Sequence, residues 1–174
     1  GTLKAGAGFL RTRQVTGLEE RIGVQEYVAE SPFSYEKNCL LYLPKTLEHC
    51  RRGSREEALM VANHIHSLSC STYGHTLVLF TSYTLMGSVY QILRDRLPFP
   101  MVEVWRHSQE EILRFKTMEN GVLFAAGSCW EGVDFPGDMV SSLIIVKLPF
   151  AVPDPISEAE KETYDSLLSL IHIS

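Results

Sequence analysis

The chemistry of this chain is narrowed first by what it does not contain. No run reaches the roughly 20 consecutive apolar residues that a membrane-crossing helix needs, and the amino terminus has no charged-then-apolar leader pattern. The expectation is a cytoplasmic chain with no membrane partner. Cysteines are few and scattered. Cys39, Cys50, Cys70 and Cys129 form no CxxC pair, so neither a zinc knuckle nor a dithiol redox motif is readable, and four unlinked thiols are expected. His64 and His66 stand two apart on a helical stretch and project to different faces, which removes them as a metal pair. No metal site is expected within the chain.

Two further absences concern phosphate. There is no G-x-x-x-x-G-K-[ST] loop and no Asp-Glu pair after a buried strand that could hold magnesium, so these residues alone cannot assemble a phosphoryl-transfer site. Positive charge is also short. Lys and Arg number 16 against 21 Asp and Glu, a net charge of −5, which excludes a protein that holds nucleic acid by a broad cationic surface. The dense cation groups are Arg51 with Arg52, Arg94 with Arg96, and Arg106. A grip through backbone amides, hydroxyls and a few local cations stays open.

What is present is a chain of 174 residues, 45% of them apolar, enough for one substantial core. Residues 1–37 have weak periodicity and read as a connector. Asn38–Pro44 predicts a strand closed by proline. Ser54 and Glu57 form a capping box before Ala58, Leu59, Val61, Ala62, Ile65 and Leu68 at helical spacing, which predicts a helix over 55–69. Thr76–Thr81 predicts a buried strand, Leu85 to Leu97 a helix, and Met101–Trp105 a short strand. A second capping box, Ser108 with Glu111, opens a helix carrying Ile112, Phe115 and Met118. A third, Ser157 with Glu160, opens one through Tyr164, Leu167, Leu168 and Ile171. Between them lie two apolar runs, Gly121–Ala126 and Ser142–Pro149, that read as strands covered on both faces. Strands alternating with helices predict an α/β fold with a mostly parallel sheet.

The segment joining those two strands carries the most information. Gly127-Ser128-Cys129-Trp130-Glu131-Gly132-Val133-Asp134-Phe135-Pro136-Gly137-Asp138 is polar, glycine-rich and acidic, and it leaves the carboxyl end of a strand, where open α/β sheets place their chemistry. Glycines let backbone approach a ligand, and Glu131 and Asp134 offer acceptors to hydroxyls, a metal-bound water or an arginine. Pro136-Gly137 fits a type II turn. Trp130, beside a glycine-rich turn, reads as a brace or a base-stacking ring.

This segment resembles motif V of the DinG/XPD branch of superfamily 2 DNA helicases, including the tryptophan before Glu-Gly-Val-Asp and the Pro-Gly-Asp after it. Thr76-Leu-Val-Leu-Phe-Thr-Ser-Tyr83 resembles motif IV, Gly1-Thr2-Leu3 the end of motif III, and Lys147-Leu-Pro-Phe150 with Pro153 and Pro155 the stretch after motif V. The resemblance implies the second RecA-like motor domain of an ATP-dependent DNA helicase, a three-layer α/β domain over residues 38–174, with 1–37 a connector from the first motor domain. It implies ATP with Mg held mainly by that first domain, single-stranded DNA as partner, and 5′ to 3′ stepping. Related enzymes place an iron–sulfur cluster in the first domain, so none is expected here. No Gln-x-x-Gly-Arg of motif VI appears, and the helical pattern breaks off at Ser174 without a cap. The domain is thus expected to be incomplete at its carboxyl end and inactive as a fragment.

Within that resemblance the candidate catalytic residues are Glu131 and Asp134, facing the nucleotide or the motif VI arginines. Gly127 and Gly132 join them as the nucleotide-binding set. Thr81, Ser82, Tyr83 and Ser128 are the candidate DNA contacts, their hydroxyls gripping phosphate, although Ser82 can equally serve as the N-cap of the following helix. The rival reading is a non-catalytic helicase-like α/β module that binds a partner protein or acts as an accessory domain.

Overall fold

The computed structural model describes residues 8–18, 23–44, 50–105, 109–130 and 132–149. Backbone contacts divide the chain into two units, Gly1–Leu47 and Glu48–Ser174. The described residues of the first hold two helices, α1 (Leu10–Thr16) and α2 (Tyr35–Asn38). Helix α1 falls where periodicity had suggested only a connector, and it stops at Gly17, whose φ of 68° closes it in the left-handed conformation. The strand expected over Asn38–Pro44 does not form. Asn38 ends α2, and Leu40 to Leu43 are exposed, Leu40 at 92%. A strand exists only through a ladder partner, and no strand among the described residues pairs with this run.

The second unit is built on four parallel strands, β1 (Thr76–Phe80), β2 (Met101–Val104), β3 (Val122–Ala126) and β4 (Ser142–Ile145), in the order β2-β3-β1-β4. Thr76 pairs with Val122 on one side and Ser142 on the other, and Phe80 with Ala126. Among the described residues three helices cover the sheet: α3 (Arg55–Ser71), α4 (Tyr83–Leu93) and α5 (Gln109–Lys116). On one face Val78, Phe80, Val122, Phe124 and Ala126 pack with Ala58, Ala62 and Ile65 of α3 and Met86, Val89 and Leu93 of α4. On the other, Leu77, Leu79, Val102, Val104, Leu123 and Ala125 pack with Phe115 of α5 and Cys129. The chain moves outward across the sheet from β1 to β2 and back from β2 to β3, so connections of one hand place α4 and α5 on opposite faces. This is the three-layer α/β architecture that the alternating pattern predicts.

Local chemistry explains the helix boundaries. Ser54 Oγ accepts the Glu57 amide hydrogen at 3.1 Å, and Glu57 Oε2 accepts from the Gly53 amide, so two otherwise unpaired donors at the start of α3 are satisfied. The Glu56 carboxyl is held below its ordinary range by its own backbone amide first, then by the Ser54 hydroxyl and by Arg55. Two corrections concern β4. It ends at Ile145, four residues before the Pro149 expected from sequence, and among the described residues it is not covered on both faces: Leu143 is 56% exposed and Ile145 43%. Apolar content alone does not separate a central strand from an edge one. The boxes opened by Ser108 and Ser157, the helix through Ile171, and the Gly1–Leu3 resemblance fall outside the described residues.

Candidate functional site

The carboxyl ends of β1, β3 and β4 converge, and there the two segments singled out by sequence meet. β1 runs into Thr81 and Ser82, both exposed, and then directly into α4. Ser82 is the N-cap: its Oγ accepts from the Leu85 amide at 3.3 Å and its carbonyl from Met86. The first-turn amides of Tyr83 and Thr84 have no acceptor within the helix, which makes this end of α4 favourable to an anion. Capping and a phosphate contact are compatible here, because the cap uses the hydroxyl's lone pair and leaves its hydrogen.

Gly127 follows the last residue of β3, with φ 71°. A Cβ there would stand 3.0 Å from the Tyr83 hydroxyl oxygen, so both backbone conformation and close approach call for glycine. Ser128–Trp130 then form one 3-10 turn. Two hydrogen bonds lash the segments together. Tyr83 Oη donates to the Ala126 carbonyl at 3.1 Å, and Trp130 Nε1 donates to the Phe80 carbonyl at 3.2 Å. Trp130 thus braces the loop. The Tyr83 hydroxyl hydrogen, proposed from sequence for a phosphate, is directed inside the domain instead.

Farther along the loop, Val133 and Phe135 pack into the core below α5, with Phe135 edge-on to Phe115 at 5.6 Å and Lys116 Nζ 5.7 Å from its ring centre. Asp134 lies between these two anchors and is exposed. Alternation in an extended segment presents it outward on a backbone pinned from both sides. Pro136, at φ −71° and ψ 148°, caps a 3-10 helix over Gly137–Val140, and the positive φ of Gly137, 63°, is the one that the type II turn expected from sequence requires. Gly132 is exposed, with φ 76°. Glu131 lies outside the described residues, and Ser128 is placed by its backbone alone.

A cleft of about 340 Å³ opens at this edge, lined by Phe80, Thr81, Gly127, Trp130, Lys147, Leu148 and Pro149. It brings Thr81 and Gly127 together with Lys147, a cation to which sequence analysis gave no role. Its signals in the sequence were its place in the Lys147-Leu-Pro-Phe150 stretch and its position as the first charge after β4, on the side where the strand ends meet. Among the described residues no group of three or more His, Cys, Asp and Glu could hold a metal ion, and no helix is long and apolar enough to cross a membrane.

The comparisons with known proteins agree with this arrangement. The helicase C-terminal domain family matches residues 65–169. The chain is 32% identical over 174 residues to the ATP-dependent DNA helicase DinG of Photobacterium profundum, covering 95% of this chain and 25% of that protein. It is 32% identical over 167 residues to the ATP-dependent DNA helicase YoaA of Haemophilus influenzae, covering 92% and 25%. Against the 3'-5' exonuclease DinG of Bacillus subtilis it is 30% identical over 156 residues, covering 82% and 17%. The chain therefore spans a quarter or less of the length of these relatives. With a parallel α/β sheet whose two motif-bearing loops meet at one edge, it belongs to the helicase C-terminal domain family, in its DinG-like superfamily 2 branch.

Proposed function

We propose that the complete protein is an ATP-dependent DNA helicase that steps along single-stranded DNA, and that this domain is its second motor domain. The observation that carries the reading is the pair of hydrogen bonds joining the β1 loop to the β3 loop, Tyr83 to Ala126 and Trp130 to Phe80. A motor must make its grip on DNA depend on its nucleotide state, and here the candidate segments for the two tasks are one braced unit. Thr81, Ser82 and the first amides of α4 hold a phosphate of the strand, with Lys147 across the cleft supplying local charge and Ser128 adding a contact from the second loop. Tyr83 contributes its ring and its brace.

Gly127, Glu131, Gly132 and Asp134 are assigned to the nucleotide. Asp134, pushed outward between Val133 and Phe135, holds an arginine of the complete enzyme at the γ-phosphate. ATP and Mg are carried mainly by the first RecA-like domain of the same polypeptide, because the residues here supply neither the lysine loop nor the metal carboxylates. When bound, the nucleotide supplies the free energy of phosphoryl transfer. Closure of the two domains around it and their reopening would move the grip along the strand and unwind a duplex ahead.

The test uses the complete protein. Single-stranded DNA should stimulate its ATP hydrolysis, and Asp134→Asn, which keeps shape and removes charge, should lower that turnover at least tenfold with an unchanged melting temperature. Absence of DNA-stimulated turnover in the wild type would favour the accessory-module reading. Wild-type turnover in the Asp134 variant would reduce its loop to a structural turn.

A further inference from the structure

Trp105 is the first residue beyond β2, at the same edge of the sheet as the cleft, and it is 47% exposed. One side of its ring is taken. It stacks on Tyr83 with centroids 5.4 Å apart and planes inclined by 16°, and it lies over Gly87 of α4, whose added Cβ would sit 3.6 Å from Trp105 Cζ2. Tyr83 is itself fixed at its far end by the bond to Ala126. The indole is therefore held in one orientation by a partner that is held in turn, while nearly half its surface stays in solvent. A tryptophan serving only to clamp α4 onto the sheet would gain by burying the whole ring. A held ring that is still 47% exposed suits a flat partner.

Charge indicates which partner. Glu103 precedes Trp105 by two residues on the same face of β2, and its Oε1 lies 3.7 Å from the added Gly87 Cβ position, buried and without a hydrogen-bond partner among the described residues. A carboxylate beneath the ring disfavours a phosphate there and leaves a neutral base as the suitable occupant. The anion-favouring positions lie beside it, at Thr81, Ser82 and the start of α4, immediately before Tyr83. Aromatic platform and phosphate grip are thus linked through Tyr83, which stacks on Trp105 and follows Ser82 directly, and such a pairing is how single strands are held without sequence preference.

We propose that Trp105, seated on Tyr83, is a stacking platform for one unpaired base of the strand whose phosphate is held at Thr81 and Ser82. This rests on the single-strand reading given above and adds a base contact to it.

The experiment measures binding of the complete protein, at one fixed salt concentration, to an oligodeoxythymidine and to an abasic strand of equal length. Trp105→Ala should weaken binding to the oligodeoxythymidine by about 5- to 100-fold and leave the abasic strand's affinity unchanged. Trp105→Phe, which keeps a ring, should restore most of the loss and guards against a folding defect in the alanine variant. Equal affinities of wild type and Trp105→Ala for the base-bearing strand would overturn the platform, as would an equal loss on both strands, which marks a residue that shapes the loops. If wild type holds the abasic strand and Trp105→Ala changes nothing, the phosphate grip stands and the platform falls. If wild type holds neither strand, the single-strand reading falls and the platform with it.

Discussion

Strands β1 and β4 are neighbours in one sheet and differ sharply in how they are held. β1, like β3 on its other side, is buried at all five positions, whereas β4 alternates half-buried and exposed residues. Helices α3 and α4 cover one face of the central pair and α5 the other; the α5 face of β4 presents Leu143 and Ile145 to solvent. The loops of the candidate site spring from β1 and β3, the two strands with least freedom to shift. A site with the proposed tasks, holding a strand and sensing a nucleotide, is best placed on such elements. β4 contributes Lys147 only after its ladder has ended.

That contrast can be broken most severely at the centre. Phe124 is fully buried, stacked on Phe80 at 5.8 Å and met edge-on by Tyr90 at 5.7 Å, so Phe124→Ala should cost about 3–5 kcal/mol in denaturant unfolding. A loss below about 1 kcal/mol would mean the central strands are no more constrained than the edge.

Next in size is the brace. Trp130→Phe keeps the ring but strips the Phe80 carbonyl of its indole donor, an expected loss of about 1–3 kcal/mol. An unchanged stability would show that packing alone holds the loop.

Away from the sheet, Ser54→Ala removes the cap of α3 and should cost about 1 kcal/mol at neutral pH. The Glu56 carboxyl pKa is lowered in the folded state, so its contribution is present above its ordinary value of 4.5 and is lost as pH falls through the depressed folded value. Because the Ser54 hydroxyl is one cause of that depression, the stability gap between wild type and variant should narrow as the solution is acidified below 4.5. A gap independent of pH would assign the whole effect to the Glu57 amide. The smallest effect is expected at Leu143→Ser, within about 0.5 kcal/mol. A larger loss would show that the outer face of β4 is covered in solution, and would erase the distinction between the two strands.

How far the sequence alone could reach follows the range of each signal. β1 and β3 were legible because each is a short apolar run bounded by glycine or a polar loop, and α3 because Ser54 and Glu57 stand three apart before a helical stripe. The motif segments were legible as strings of residue types. The strand expected at Asn38–Pro44 failed because a ladder depends on a partner that local composition does not supply, and β4 was over-read because the same apolar letters occur at centre and edge. The orientation of Tyr83 was out of reach: its partner Ala126 is 43 residues away. Lys147 and Trp105 gain their places only when three strand ends and a helix start are brought together.

The two lashing bonds run in opposite senses, from the β1 loop to the end of β3 and from the β3 loop to the end of β1. A single tie would act as a pivot, about which one loop could swing while the other stayed still. Two opposed ties resist rotation as well as separation. Tension applied at Thr81 would pass to Gly127 and Trp130 through both ties, so in the function proposed above a DNA strand and a nucleotide would each pull on the same coupling. The compliance that the proposed motor needs would then lie elsewhere than between these loops.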